Sequence, residues 1–328
     1  PGVKHWWSYP DETVCVDDPD LMDFLKNARR NPGPRRVFLR TADLGQTASS
    51  HWVTIEQVRT VGRDAEVEAS ASDTLIEIRT VNVARLRLDL DSRLFFSRDV
   101  RLTVDGQNLG RRFDLPASVT IHRAGERWRV GPGSRPALRK TPALYGPAKQ
   151  TLMSPFCLVY GTQDSALVST LRHAATQEAM RWFLIGNGHC PVLADTEVTD
   201  AVFRKRNLVL YGGPNENSIS RRINSALPVR ASSGRMLLGR RVLGTNLAAI
   251  VAYPNPLNPQ RLVLARTGTD PEAVKLSLFF GLIGSSTGIP DFLVFDRRVR
   301  RYGWHGIRAA GFFGPDWKLD PNSTFIEQ

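Results

Sequence analysis

Apolar and polar residues alternate in short segments, separated by turn residues, along the first part of the chain. The clearest case is 85–90, where every second residue is apolar and the segment has one apolar face. Seven similar segments surround it without any helical period. The predicted strands are 37–41, 52–58, 65–69, 74–80, 84–90, 100–105, 118–123 and 127–130. A series of this kind predicts an antiparallel β-sandwich.

From about residue 144 the pattern changes to continuous apolar runs, glycine turns and amphipathic segments. These predict strands at 156–160, 207–211, 247–253, 262–266 and 292–295, and helices at 164–183, 216–227 and 271–281. Continuous apolar runs are typical of strands that are buried on both faces. This part is therefore predicted to be a small layered α/β domain with a mostly parallel sheet.

A separate amphipathic helix is predicted near the start, at 17–30. Aspartates and a proline mark its first turn, and Leu21, Phe24 and Leu25 share one face. Such a helix needs a sheet against which to pack. Proline- and glycine-rich segments at 31–34 and 131–136 then divide the multidomain α+β chain. The predicted domains are 1–32, 33–135 and 136–328.

The composition, with 41% hydrophobic and 23% charged residues, is that of an ordinary globular protein. No apolar run is long enough for a transmembrane helix, so no membrane span is expected. The net charge is +12, yet the arginines are spread along the chain and only 297–301 forms a dense cluster. We interpret them as a solvated arginine-rich surface and expect no nucleic-acid partner. A polyanion binder, recognisable by a steep salt dependence of binding, is the competing hypothesis.

The cysteines and histidines predict no metal site or cofactor. Cys15, Cys157 and Cys190 lack the C-x-x-C spacing, although a single pair between Cys157 and Cys190 remains open. The histidines lack the spacing of metal ligands, and the neighbours His189 and Cys190 are a weak signal.

Several polar motifs have a structural interpretation. Gly284-Ser285-Ser286-Thr287-Gly288 matches the G-x-S-x-G nucleophile elbow, but a helix is predicted before it and a strand after it. The elbow requires the opposite order, so we predict that Ser286 is not a nucleophile. The strand-to-helix junctions Gly161-Thr162 and Gly212-Gly213-Pro214-Asn215 are interpreted as tight turns, although such junctions can bind anions. The acidic residues Asp195, Glu197 and Asp200 are interpreted as a solvated loop and a helix cap.

Several stretches together resemble the C-terminal part of bacterial prolyl-oligopeptidase-like serine hydrolases, which are multidomain α/β-hydrolases. The resemblance covers almost the whole chain. The matching stretches are Pro1-Gly2-Val3-Lys4-His5-Trp6-Trp7, Cys15-Val16-Asp17-Asp18-Pro19, Thr80-Val81-Asn82-Val83-Ala84-Arg85-Leu86, Ser154-Pro155-Phe156, Val159-Tyr160-Gly161-Thr162, Asn207-Leu208-Val209-Leu210-Tyr211-Gly212-Gly213-Pro214, Tyr253-Pro254-Asn255-Pro256 and Pro290-Asp291-Phe292.

The resemblance implies that residues 1–32 are the histidine loop and last helix of an α/β-hydrolase domain, with His5 as the general base of the triad. In this fold the serine and the aspartate precede the histidine along the chain. We therefore expect a trailing portion of a secreted or periplasmic enzyme, inactive by itself, whose peptide or ester substrate binds through an upstream segment. The alternative is a non-catalytic binding or interaction module made of the β-sandwich and the α/β domain. The oligomeric state is left open.

Overall fold

The computed structural model describes residues 14–29, 31, 33–90, 100–112, 118–133, 138–284 and 288–327. These residues form a multi-sheet α+β structure in which strands predominate. The helices are α1 (Pro19–Asn27), α2 (Val168–Gly186), α3 (Asp200–Lys205), α4 (Ser218–Ile223), α5 (Pro271–Ser277) and α6 (Val299–Tyr302).

The strands of the first part are β1 (Arg36–Thr41), β2 (Ser49–Ser50), β3 (Val53–Val58), β4 (Ala65–Ala71), β5 (Leu75–Val81), β6 (Val83–Asp89), β7 (Val100–Val104), β8 (Gln107–Arg112), β9 (Ser118–Ala124) and β10 (Arg127–Val130). The strands of the second part are β11 (Phe156–Tyr160), β12 (Val192–Ala194), β13 (Asn207–Tyr211), β14 (Val229–Ser232), β15 (Arg235–Leu238), β16 (Arg241–Gly244), β17 (Ala248–Asn255), β18 (Asn258–Gly268), β19 (Phe292–Phe295), β20 (Ile307–Phe313) and β21 (Leu319–Ile326).

Two five-stranded sheets enclose one hydrophobic core in the first part. Their strand orders are β1-β4-β5-β7-β8 and β10-β9-β6-β3-β2. In strands such as β4, alternate residues point inward, so residues from both sheets, such as Val67 and Leu86, meet in the same core. All eight predicted strands are present, and the prediction missed the two-residue strand β2 and the six-residue strand β8.

One pair of strands in these sheets departs from the predicted antiparallel arrangement. β5 and β7 are parallel, with Leu75 opposite Arg101. Between them the chain crosses to the other sheet as β6 and then returns. Two crossings bring β7 back in the same direction as β5, which is the physical reason for the difference.

The second part is built around an eight-stranded sheet of order β12-β11-β13-β18-β17-β19-β20-β21. The prediction of a mostly parallel sheet is wrong, because three of its pairings are parallel and four are antiparallel. β17 and β18 are joined by the tight turn at Pro256 and Leu257, and strands joined so closely must run antiparallel. The sheet is therefore mixed.

Both faces of this sheet are covered by apolar residues. One face, which includes Leu158 and Ile250, packs against α2 and α5. The opposite face packs against α4 through Leu208 and Leu210, and against the three-stranded sheet β14-β15-β16 through Ala249 and Val251. Strands in the middle of the sheet, such as β11, β13 and β19, are buried on both sides, as the continuous apolar runs predicted.

Helix α1 packs loosely. Asp18 caps it by accepting a hydrogen bond from the Leu21 backbone N–H at 3.0 Å. None of its residues is buried, and the apolar side chains of Phe24 and Leu25 are 67% and 56% exposed. Its apolar face therefore contacts none of the hydrophobic cores formed by the described residues.

We predict that the backbone amides of α1 exchange with deuterium within seconds, while those of β6 are strongly protected. An isolated helix of nine residues is marginal in water because nucleation is costly. β6 lies between β3 and β9 in the centre of its sheet. Hydrogen exchange followed by mass spectrometry compares the two segments in one sample. Equal protection would mean that α1 has found another apolar surface.

Candidate functional site

The carboxyl ends of five strands meet at one edge of the eight-stranded sheet. β11, β12, β13 and β18 are parallel neighbours, and β19 runs in the same direction because β17 is antiparallel to both β18 and β19. Ligands of sheets with parallel strands usually bind outside this edge. Two places along the edge are therefore of interest: the ends of β11 and β13, and the ends of β18 and β19.

The space beyond β11 and β13 is filled by the chain itself. The Gln163 backbone N–H donates to the Glu216 carbonyl at 2.9 Å, and a Cβ on Gly161 would lie 2.2 Å from the same oxygen. Gly212 has a φ of +105°, which favours glycine. This close packing supports the interpretation of both glycine junctions as tight turns.

Asp195 connects the loops that follow β11 and β13 through hydrogen bonds. Its side chain is buried, and its two oxygens accept hydrogen bonds from the Thr162 hydroxyl and from the Ser218 backbone N–H, both at 2.6 Å. The prediction of a solvated loop is wrong for this residue, because β12 ends at Ala194 and places Asp195 at the sheet edge between two neighbouring loops. Glu197 binds the Ala194 backbone N–H at 2.7 Å, so it too has a structural contact.

An open cleft of about 850 Å³ lies at the second place, beyond the ends of β18 and β19. It is bounded by the loop before β17, the start of α5, the segment after β19, and β20. Its lining residues are Leu243, Gly244, Thr245, Asn246, Leu247, Asp270, Glu272, Ala273, Leu276, Asp296, Arg297, Arg298, Arg300 and Arg308.

The acidic groups of the cleft are already engaged by neighbours. Asp270 accepts hydrogen bonds from the Thr269 hydroxyl at 2.8 Å and from a backbone N–H of α5 at 3.0 Å. Glu272 is 2.7 Å from the Lys275 ammonium group. Asp296 binds Arg298 through both oxygens, and this hydrogen bonding raises the pKa of the Arg298 guanidinium.

The four arginines of the cleft differ in their partners. Arg298 and Arg308 both form ion pairs with Glu327. Neither Arg297 nor Arg300 forms an ion pair with any carboxylate of the described residues, and both side chains are exposed. A guanidinium donates two parallel hydrogen bonds to a carboxylate or phosphate. The cleft therefore offers unpaired positive charge to an anionic ligand.

The sequence interpretation missed this cleft, although one signal was present. The cluster 297–301 was assigned to a general basic surface, whereas it directly follows the predicted strand 292–295. Charged residues just after a strand of such a sheet lie at its ligand-binding edge. That position, rather than the number of arginines, was the informative feature.

The other candidate residues give a mixed result. His5, the candidate catalytic base, and Ser286 lie outside the described residues. Cys157 and Cys190 are buried free thiols, and burial raises their pKa values to about 12 and about 11, respectively. Within the described ranges, no group of three or more His, Cys, Asp or Glu side chains is arranged to hold a metal ion.

We predict that Asp195→Ala lowers the free energy of unfolding by about 1–3 kcal/mol, because two donors lose their buried acceptor. Asp200→Ala is the matched control: Asp200 lies exposed in the first turn of α3, so its loss should change the free energy by less than about 0.5 kcal/mol. Urea unfolding followed by circular dichroism measures both. If the two variants are equally stable, the hydrogen bonds of Asp195 do not stabilise these loops.

Comparison with known proteins shows a distant similarity. No protein-family model matches the chain. It is similar to an uncharacterized secreted protein of Arthroderma benhamiae, with 22% identity over 349 aligned residues. The match covers 98% of this chain and 35% of that protein, so the chain spans about a third of the relative's length. No helix among the described residues is long and apolar enough to cross a membrane.

Proposed function

We propose that this chain is the C-terminal portion of a larger, secreted serine hydrolase of the prolyl-oligopeptidase type. In this proposal residues 1–32 complete an α/β-hydrolase domain, and His5 is the base of its triad. The observation that carries the proposal is α1, which follows His5 in the sequence and leaves Phe24 and Leu25 exposed. Such a face is expected of a helix that covers a sheet formed by another segment of the protein.

The distant relative supports this proposal in two respects. Its name describes a secreted protein, and most of its length lies outside the part that matches this chain. The unmatched length of such a protein is sufficient for a catalytic domain of ordinary size. The β-sandwich and the part built on the eight-stranded sheet would then be accessory regions that gate access, dock substrate or mediate association.

The chemistry would be that of a serine nucleophile and a peptide or ester carbonyl. His5 would take the proton of the serine hydroxyl and return it to the leaving group, while an aspartate orients the imidazole. The serine and the aspartate would lie in the preceding segment, because they come before the histidine in α/β-hydrolases. This reaction needs no metal or cofactor.

We expect that a fluorophosphonate probe does not label the chain 1–328, as judged by intact mass. A longer protein that includes the upstream segment should take one adduct at a serine before residue 1. In that protein His5→Ala should lower esterase activity by about three orders of magnitude or more. His51→Ala is the control, since His51 is exposed in a turn before β3 and should leave activity unchanged. A stoichiometric adduct on Ser286 of the chain alone would overturn the proposal.

The second candidate function is a binding module that holds an anionic ligand in the arginine-lined cleft. The observation that favours it is the pair Arg297 and Arg300, whose guanidinium groups have no carboxylate partner among the described residues. The ligand class is a small molecule or chain end that bears a carboxylate or phosphate. This function is compatible with an accessory role in a hydrolase.

We predict that inorganic phosphate binds the chain, as measured by isothermal titration calorimetry, and that Arg297→Ala weakens its affinity about tenfold or more. The loss of one charge-assisted hydrogen-bond donor accounts for an effect of this size. Arg172→Ala is the control, because Arg172 is an exposed arginine of α2 outside the cleft. If both variants bind phosphate alike, the cleft is not the site.

A further inference from the structure

The most deeply buried ion pair of the described residues joins Lys140 and Asp291. Their side chains are 1% and 0% exposed, and they are 151 residues apart in the sequence. The Lys140 ammonium nitrogen, Nζ, donates a hydrogen bond to Asp291 Oδ2. Neither residue belongs to the arginine-lined cleft or to the proposed triad. A buried pair of this kind calls for a physical explanation because removing two charges from water is costly.

Both residues are held in place by backbone hydrogen bonds. The Lys140 backbone N–H donates to the Pro315 carbonyl at 2.7 Å. Asp291 Oδ2 also accepts from the Phe313 backbone N–H at 2.8 Å, and the Asp291 carbonyl accepts from Ala252 at 2.7 Å. The amine and the carboxyl group are thus kept in contact. Groups that are held in contact in this way react as if their concentration were very high.

Aromatic rings and a backbone segment surround the pair. Nζ lies 4.6 Å from the centre of the Trp317 ring and 5.2 Å from that of Tyr145, and both side chains are buried. On another side, a Cβ on Gly146 would lie 1.9 Å from Asp291 Oδ1. Gln150 holds this segment, since its side-chain oxygen accepts from the backbone N–H groups of Tyr145 and Gly146 at 2.6 and 2.8 Å. Bulk water is therefore excluded from the pair.

The ammonium group of Lys140 and the carboxylate of Asp291 have fewer hydrogen-bond partners among the described residues than their charged forms require. An ammonium group has three N–H donors. Among the described residues, the ammonium group of Lys140 has one hydrogen-bond acceptor, Asp291 Oδ2. Asp291 Oδ1 is buried without a hydrogen-bond partner in the same part of the chain. Burial lowers the pKa of Lys140 and raises the pKa of Asp291. Both shifts favour the neutral amine and the neutral acid.

We propose that Lys140 and Asp291 are covalently joined by an intramolecular isopeptide bond. The lone pair of Nζ attacks Cγ of Asp291, and a new N–C bond forms. One Cγ–O bond breaks, and that oxygen leaves as water with the two protons that the amine and the acid give up. The products are an amide and one water molecule, so no oxidant is needed and the net charge does not change. The amide also removes two charges from a dry site.

The test is the mass of the purified chain 1–328. The intact protein should be lighter than its sequence mass by one water, and a proteolytic digest should contain a branched peptide that joins the segments around Lys140 and Asp291. Fragmentation of that peptide is essential, because a succinimide at Asp105-Gly106 would also lose one water. A succinimide lies within one peptide, whereas the proposed bond joins two.

Variants separate the bond from other effects. Lys140→Arg and Asp291→Ala should each restore the full mass calculated from the sequence. Lys318→Arg is the matched control: Lys318 pairs with Asp316 at 2.8 Å on the surface, and its loss should leave the link intact. If a Lys140 variant does not fold, the peptide map of the unaltered protein still decides. A folded, unaltered chain with its full sequence mass and no branched peptide would overturn the proposal.

Discussion

The eight-stranded sheet depends on the exclusion of water from both of its faces. Every residue of β13 and β19 is buried, so these strands have no polar side to turn outward. The helices on one face, and the three-stranded sheet and α4 on the other, supply the cover that such strands require. Any charged group inside this cover must find its partners within the protein.

Two buried ion pairs meet that requirement to different degrees. Arg266, on β18, donates to the carbonyl groups of Ser277 and Phe280, and Glu178, on α2, accepts from two backbone N–H groups of the following segment. These charges are solvated by the backbone, and together they hold residues 277–283 over the sheet. The Lys140–Asp291 pair leaves one carboxylate oxygen without a partner. The second pair, rather than the first, is suited to condensation because the guanidinium of Arg266 stays protonated, whereas the amine of Lys140 can lose its proton and act as a nucleophile.

Most of the strands could be predicted from the sequence because their signals are local. The burial of an alternating segment such as β6, or of an apolar run such as β13, can be predicted from its own residues. Strand direction is not local. β7 is parallel to β5 because β6 lies in the opposite sheet, and β19 pairs with β17 although α5 lies between them. The mixed character of the large sheet was therefore hidden from any pattern along the chain.

The sites follow the same division between local and distant information. The sequence showed the cluster of arginines after β19, but it did not show that this cluster lies at the edge of the sheet. Asp195 was misread because its partners, Thr162 and Ser218, come from other loops. Lys140 and Asp291 carry no shared motif, and because they are 151 positions apart the chain between them must fold before they meet. Chemistry between such residues is a product of the completed fold, so only the three-dimensional structure can suggest it.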